Sequence, residues 1–439
     1  MRFHFWLKDK NEGIFPEERK QKTENLPIET AKVPDLMIFP LSMHIGKPAK
    51  AVVDVGDKIK IGTVLGEAED GISANVISSV SGEVIAISDR ATVKGPNTCI
   101  VIRNDHQDRM EEPLVEEGKT LSAEEKLAVI QRAGIVGMGG ATFPTGIKVK
   151  PNNTKPVDTI IINGAECELY STSDHRLMIE QANGIVEGAK IIQEILKAKT
   201  IYIALEDDTP DCEQALKEVI RSTDIKLKVL PTMYPQGAEK VLIQKLTGRE
   251  VPPGGLPADV RVFVTNVGTS NAIHEAVNLG RPLIERITTV SGEAVQTPKN
   301  LRVRIGTPIN SLIEECEGFS SVPGKLLHGG PMMGIPIASA DVPVTKGTSV
   351  VTFLVPEESE RGEQTDCIRC SECLNVCPVS LQPILISNAF ERADIEEAER
   401  LGAMDCIECG NCSYICPSKI PLLDNIRSAK KAIKAKNAG

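Results

Sequence analysis

Aromatic side chains are scarce in this chain, at 3% of 439 residues with a single tryptophan, and positive charge is not in excess. The 60 acidic residues outnumber 50 Lys and Arg, for a formal charge of −10. A nucleic-acid binder needs a basic footprint and, for single strands, interleaved aromatics. No nucleic-acid role is therefore expected. Long apolar runs are also missing: no window approaches the roughly 18 apolar residues of a membrane span, so no transmembrane segment is expected. The start, Met1-Arg-Phe-His-Phe-Trp-Leu-Lys8, lacks the apolar stretch of a secretory leader. With no export signal, the 12 cysteines are not read as a disulfide framework, and a reducing compartment is expected.

Eight of those cysteines fall into two runs of the form Cys-x-x-Cys-x-x-Cys-x-x-x-Cys-Pro: Cys367, Cys370, Cys373, Cys377 with Pro378, and Cys406, Cys409, Cys412, Cys416 with Pro417. Three thiolates on one tight loop reach three irons of a cubane, and the fourth, before proline, ligates the other cluster. The spacing predicts two 4Fe-4S clusters with crossed ligation. Cluster one takes Cys367, Cys370, Cys373 and Cys416; cluster two takes Cys406, Cys409, Cys412 and Cys377. Structural zinc is the alternative, but four ligands complete a zinc site and a repeated third Cys plus Cys-Pro adds nothing to it. Cys99, Cys167, Cys212 and Cys316 are scattered and read as small buried hydrophobes.

Upstream, β-branched residues alternate between Gly turns from Pro34 to Asn104, as in Ala51-Val-Val-Asp-Val55 and Val80-Ser-Gly-Glu-Val84, which predicts a small all-β unit. These segments resemble the biotinyl/lipoyl-type barrel-sandwich hybrid. Ile77-Ser-Ser79 offers no lysine for a swinging arm, so the unit reads as structural. From Leu121 to Ser291, strand-like and helical runs alternate, which predicts βαβ units around a parallel sheet with ligands at the carboxyl ends of its strands. Lys299 to Leu354 reads as a small α+β unit. Pro356 to Gln364 is a polar linker, and Pro383 to Leu401 a helical stretch between the Cys runs. Five Lys or Arg between Arg427 and Lys436 suggest a solvated terminal helix, with contact to an acidic partner or anionic lipid as the alternative.

Three further motifs stand in the central region. Gly137-Met-Gly-Gly-Ala-Thr-Phe-Pro-Thr-Gly146, with Lys148 just beyond, is dense enough in glycine for backbone N–H groups to approach a phosphate. It fits neither Gly-x-Gly-x-x-Gly nor a Walker loop, so a bland tight turn is an equal reading. Asn163-Gly-Ala-Glu-Cys-Glu168 and Thr265-Asn-Val-Gly-Thr269 both follow predicted strands, where polar groups meet ligands in α/β sheets or simply form strand-end loops.

Together with Ser173-Asp-His-Arg-Leu-Met178, Gly254-Gly-Leu-Pro-Ala-Asp259 and His328-Gly-Gly-Pro-Met-Met-Gly334, these motifs resemble, in order and over nearly the whole chain, the RnfC family, the C subunits of Rnf-type ferredoxin:NAD+ oxidoreductase complexes. That family is similar in turn to the NADH-binding flavoprotein subunit of respiratory complex I. The resemblance implies an α/β multidomain fold. It has a barrel-sandwich hybrid over 1–115, a Rossmann-like FMN and NADH domain over 116–295, a soluble-ligand-binding β-grasp (SLBB) module over 296–356, and an α-helical double 4Fe-4S ferredoxin-type domain over 357–439. It implies FMN near Gly137, Gly139, Gly140, Lys148, Asn163, Glu166, Tyr234, Gly237 and Asn266, with Glu239 and Thr269 also at the cofactor site. Glu168 would face NAD(H). Leu169 stands where both families place Pro, and Ala238 replaces the first acid of a Glu-Glu pair, leaving Glu239. The implied role is a peripheral subunit on the cytoplasmic face of the cell membrane, exchanging electrons between ferredoxin, through other Rnf subunits, and NAD. A soluble electron donor to another reductase, or a cluster-wiring subunit without flavin, would share the same motifs.

Overall fold

The computed structural model describes residues 13–438; Met1–Lys8, read above as lacking a leader, lies outside them. At its centre four parallel strands lie in the order Lys226–Leu230, Thr200–Glu206, Thr159–Asn163, Val262–Asn266. Thr159–Asn163 is a run of isoleucines buried until its last residue, as a strand covered on both faces requires. The helices Ala182–Leu196 and Val267–Leu279 supply much of that cover. By chain order the sheet runs third, second, first, fourth. The order therefore reverses between Thr159–Asn163 and Val262–Asn266, and a crevice opens at their carboxyl ends. Asn163 and Asn266 are register partners at that point.

The N-terminal unit consists of a four-stranded antiparallel sheet, Leu36–Pro40, Asn97–Asn104, Gly82–Arg90 and Lys58–Ile59, with a three-stranded one beside it. Its Ile77–Ser79 turn is buried, the Ser79 hydroxyl donating to the Ile305 carbonyl at 2.6 Å. The turn thus serves as packing against the next unit.

That unit is built around a six-stranded sheet that draws on distant parts of the chain: Ile28–Thr30, Lys299–Arg304, Glu285–Ser291, Val350–Leu354, Lys325–His328 and Ile335–Pro336. Glu285–Ser291, which the alternation reading grouped with the central unit, pairs here with Lys299–Arg304 and Val350–Leu354. Local periodicity marks a strand but not its partners, which are chosen by long-range packing. Lys346 leaves this unit to donate from Nζ to the carbonyls of Asn75 at 2.5 Å and Gly134 at 2.7 Å, pinning the N-terminal unit and the foot of the glycine-rich loop together.

The last unit is helical. The stretch Pro383 to Leu401 divides into Pro383–Glu391 and Ile395–Arg400, because Asp394 breaks the helix and caps the second piece through the Glu397 amide. The terminal helix is Leu422–Ala438; its Arg427 and Lys430 pair with Glu408, and Lys436 with Glu396. No helix among the described residues is long and apolar enough to cross a membrane.

Candidate functional site

A cavity of about 1580 Å³ fills the crevice and is walled by all the units. A drug-sized ligand needs roughly 300–1,000 Å³, so there is room for more than one nucleotide. The glycine-rich loop forms one wall. It is closed on itself by Gly137 N–H to the Phe143 carbonyl at 2.8 Å and Thr142 N–H to the Gly137 carbonyl at 3.1 Å. From behind, the Thr269 hydroxyl accepts the Met138 amide at 2.9 Å; Thr269 is fully buried and holds the loop without facing the cavity. A Cβ on Gly139 would come within 3.3 Å of Asn266 Cβ, while Gly140, at φ +101°, is open to the cavity.

The strand-end asparagines are positioned by hydrogen bonds that the two strands dictate. Asn163 donates to the Gly237 carbonyl at 2.8 Å and accepts the Ala165 amide at 3.0 Å. Asn266 caps the helix Val267–Leu279 through the Gly268 amide and donates to Asp174 at 2.6 Å. Lys148 and Glu239 meet at the rim, 2.6 Å apart. Glu166 caps the helix Ser173–Glu180, accepting the amides of Asp174 at 3.1 Å and His175 at 3.0 Å.

Glu168 is enclosed. Its carboxylate accepts the Met332 amide at 3.0 Å and the Met333 amide at 3.3 Å, both from the glycine-rich turn of the third unit. Burial pushes its pKa up, and those amides oppose the shift. Tyr234 is buried too, and its hydroxyl donates to the Cys409 carbonyl at 2.7 Å. It joins the cavity to the Cys runs.

Several lining residues were not singled out as site residues by sequence reasoning: Asp174, Cys167, Lys150, Lys155, Lys199 and Arg261. The cations come from separate segments and only folding gathers them. Asp174 lay inside a recognised motif, but its environment was not readable. Burial, and next the nearby Glu166, push its pKa up from 3.8 to about 7. The folded protein thus retains a proton that the unfolded chain gives up, so the stability from this group is complete below about pH 4 and is lost as pH rises through 7. Asp174→Asn is expected to flatten that loss. Melting temperatures at about pH 5 and about pH 8 check it: the variant should lose fewer degrees between them than the parent.

The eight cluster thiols fall into two sets. Cys373 lies beside Cys367, Cys370 and Cys416, while Cys406, Cys409 and Cys412 lie beside one another and Cys377. Tetrahedral zinc, with Zn–S near 2.3 Å, would bring its sulfurs within about 3.8 Å of one another. Among the described residues the one His/Cys/Asp/Glu group whose ligand atoms all lie within 4.8 Å is His175, Asp211 and Cys212, which belongs to neither set. Burial pushes Cys409 up to about 12, with Cys406 and Cys377 adding to the shift. Such a set is stable as thiolates only around a cationic centre, which an iron–sulfur cluster provides. Cys367 and Cys370 are exposed; Cys377, Cys409 and Cys412 are buried, and Cys409 lines the cavity.

A switch-point crevice sized for nucleotides, backed by two sets of four thiols, defines a nucleotide-binding iron–sulfur electron-transfer protein. Known families match it domain by domain. Residues 8–107 match the RnfC barrel sandwich hybrid domain, 130–275 the Nuo51 FMN-binding domain, 287–336 the SLBB domain and 361–417 the 4Fe-4S dicluster domain. The chain is 45% identical over 384 residues to the C subunit of the proton-translocating ferredoxin:NAD+ oxidoreductase complex of Clostridium ljungdahlii, covering 87% of this chain and 84% of that one. It is 43% identical over 385 residues to the C subunit of the Na+-translocating ferredoxin:NAD+ oxidoreductase complex of Acetobacterium woodii, covering 87% of each. To the C subunit of the ion-translocating oxidoreductase complex of Rhodobacter capsulatus it is 41% identical over 424 residues, covering 95% of this chain and 82% of that one. The chain belongs to the RnfC family, the C subunits of ion-translocating oxidoreductase complexes, and is an oxidoreductase subunit with FMN and 4Fe-4S domains.

Proposed function

We propose that this chain is the peripheral, NAD(H)-handling subunit of a membrane Rnf complex, on its cytoplasmic face, passing electrons between ferredoxin-side partners and NAD while partner subunits couple the flow to Na+ or H+ transport. The observation that carries the reading is one continuous cavity running from the glycine-rich loop to Cys409. Bound FMN supplies hydride exchange with a nicotinamide and single-electron exchange with clusters. The chain's own residues supply position. The loop, closed at Gly137, offers the backbone of Gly139 and Gly140 for close approach to a phosphate, Asn163 and Asn266 fix the floor, and Lys148 with Glu239 marks the rim. Gly237 holds Asn163, and Tyr234 closes the side toward cluster two, which we assign to Cys377, Cys406, Cys409 and Cys412, with cluster one at Cys367, Cys370, Cys373 and Cys416. The exposure of Cys367 and Cys370 favours cluster one facing the partner and cluster two facing the cavity. The basic residues Lys150, Lys155, Lys199 and Arg261 around the cavity suit the phosphates of a dinucleotide.

Glu168 is assigned to NAD(H). For that role its carboxylate exchanges the Met332 and Met333 amides for nucleotide hydroxyls. Loss of one charged acceptor weakens binding by about 1.5–3 kcal/mol, so Glu168→Gln should raise the apparent Kd for NADH roughly ten- to hundredfold with flavin content unchanged. Titration of NADH against flavin reduction checks this; an unchanged Kd would reduce Glu168 to a tie for the third unit. FMN and iron content of the purified chain, with NADH:dye reduction, tests the reading as a whole. Co-purification with integral membrane subunits separates it from a soluble electron donor.

A further inference from the structure

The turn Gly329–Gly334 of the third unit touches two functional centres at once. Glu168 holds it by the Met332 and Met333 amides. Gly330 makes that contact possible, since a Cβ there would overlap the Glu168 side chain. Met332 itself also packs in a cluster with Tyr234, Val376 and Cys409. The Met332 carbonyl lies 2.9 Å from where a Cβ of Gly410 would stand, between the cluster-two cysteines Cys409 and Cys412. The turn is short and internally braced, with the Gly334 amide on the Gly330 carbonyl at 2.9 Å, so a displacement at Glu168 carries through to Met332.

We propose that the Gly329–Gly334 turn is a positioning element that links the nucleotide carboxylate to cluster two: Glu168 sets where Met332 lies, and Met332 sets how well Cys409 is shielded from solvent. The nucleotide as the trigger rests on the assignment of Glu168 to NAD(H) made above. When a nucleotide engages Glu168, the Met332 and Met333 amides are released and the cover over Cys409 loosens. Reduction adds negative charge to a thiolate-ligated cluster, and water stabilises that charge better than an apolar contact does. Loosening therefore raises the potential of cluster two, which is governed by exposure and hydrogen bonding. Cluster one, whose Cys367 and Cys370 are already exposed, keeps its value.

The test is an EPR redox titration of the full chain carrying both clusters, with and without ADP-ribose, which has the nucleotide hydroxyls but no redox-active ring. The Cys377→Ala protein assigns the signals. Wild type should show an upward shift of cluster two alone on adding ADP-ribose, worth a three- to tenfold change in the reduction equilibrium, up to about 59 mV for one electron. Gly330→Ala, which expels Glu168 from its place, and Glu168→Gln, which preserves its volume, should both show the raised potential without ligand and no further shift with it. The unmoved cluster one serves as the folding control in each. The link is overturned if ADP-ribose binds by calorimetry, more weakly to Glu168→Gln, yet cluster two does not shift. It is overturned equally if both clusters move together in the variants. If wild type binds no ADP-ribose while Gly330→Ala still raises cluster two, the link stands and the nucleotide assignment of Glu168 falls.

Discussion

Cys377→Ala yields a protein that keeps the cluster ligated by its own run, Cys367, Cys370 and Cys373, and loses the one held by Cys406, Cys409 and Cys412. The reason is spatial. Cys377 is buried beside those three thiols, while the fourth thiol of the set around Cys373 is Cys416, from the other run. Iron content should fall by about half, from roughly eight atoms to four, and the EPR signal lost should be that of the cluster nearer the cavity. Replacement of Cys416 should give the complementary result. If Cys377→Ala instead silenced the cluster of Cys367, Cys370 and Cys373, ligation would run within each motif and the assignment would be wrong.

Gly139→Val abolishes retention of FMN while iron stays near the parent value. The position is already tight: even a Cβ would stand 3.3 Å from Asn266 Cβ, and the branched methyls of valine must then press on Asn266 or enter the cavity. Asn266 has little room to yield, being tied to Gly268 and Asp174. Flavin content below about a tenth of the parent's is expected, since both the phosphate approach and the floor of the site are disturbed. Gly140→Val should act by another route, because its Cβ meets nothing within 4 Å but its φ of +101° strains any side chain. Unchanged flavin absorbance in the Gly139 variant would remove the loop from the site.

Some of this protein was legible before any fold was known. The Cys-Pro runs prescribe two clusters because cluster ligation is a local geometric demand, met by a fixed count of residues on one loop. The isoleucine run before Asn163 and the strand before Asn266 announce a parallel sheet, and a parallel sheet announces where its ligands lie. Glu168 shows where such reading stops. Only two residues separate it from Glu166 in one motif, yet Glu166 turns to the amides opening the helix Ser173–Glu180, while Glu168 holds amides more than a hundred and sixty positions away in the third unit, a partner that no local spacing announces. Tyr234 likewise carries no mark in its neighbourhood of the contact it makes with Cys409.

The sequence by itself determined the iron–sulfur chemistry, the alternation of strands and helices, and the polar strand ends. Each of these depends on residues within one turn, strand or loop of one another, where spacing alone sets geometry. Only the tertiary structure decided that Glu285–Ser291 joins the third unit's sheet, that scattered cations gather around the cavity, and that the Gly329–Gly334 turn bridges Glu168 and Cys409. Those contacts join segments brought together by burial of a shared core, and burial selects for volume and polarity without leaving a periodic trace in the chain.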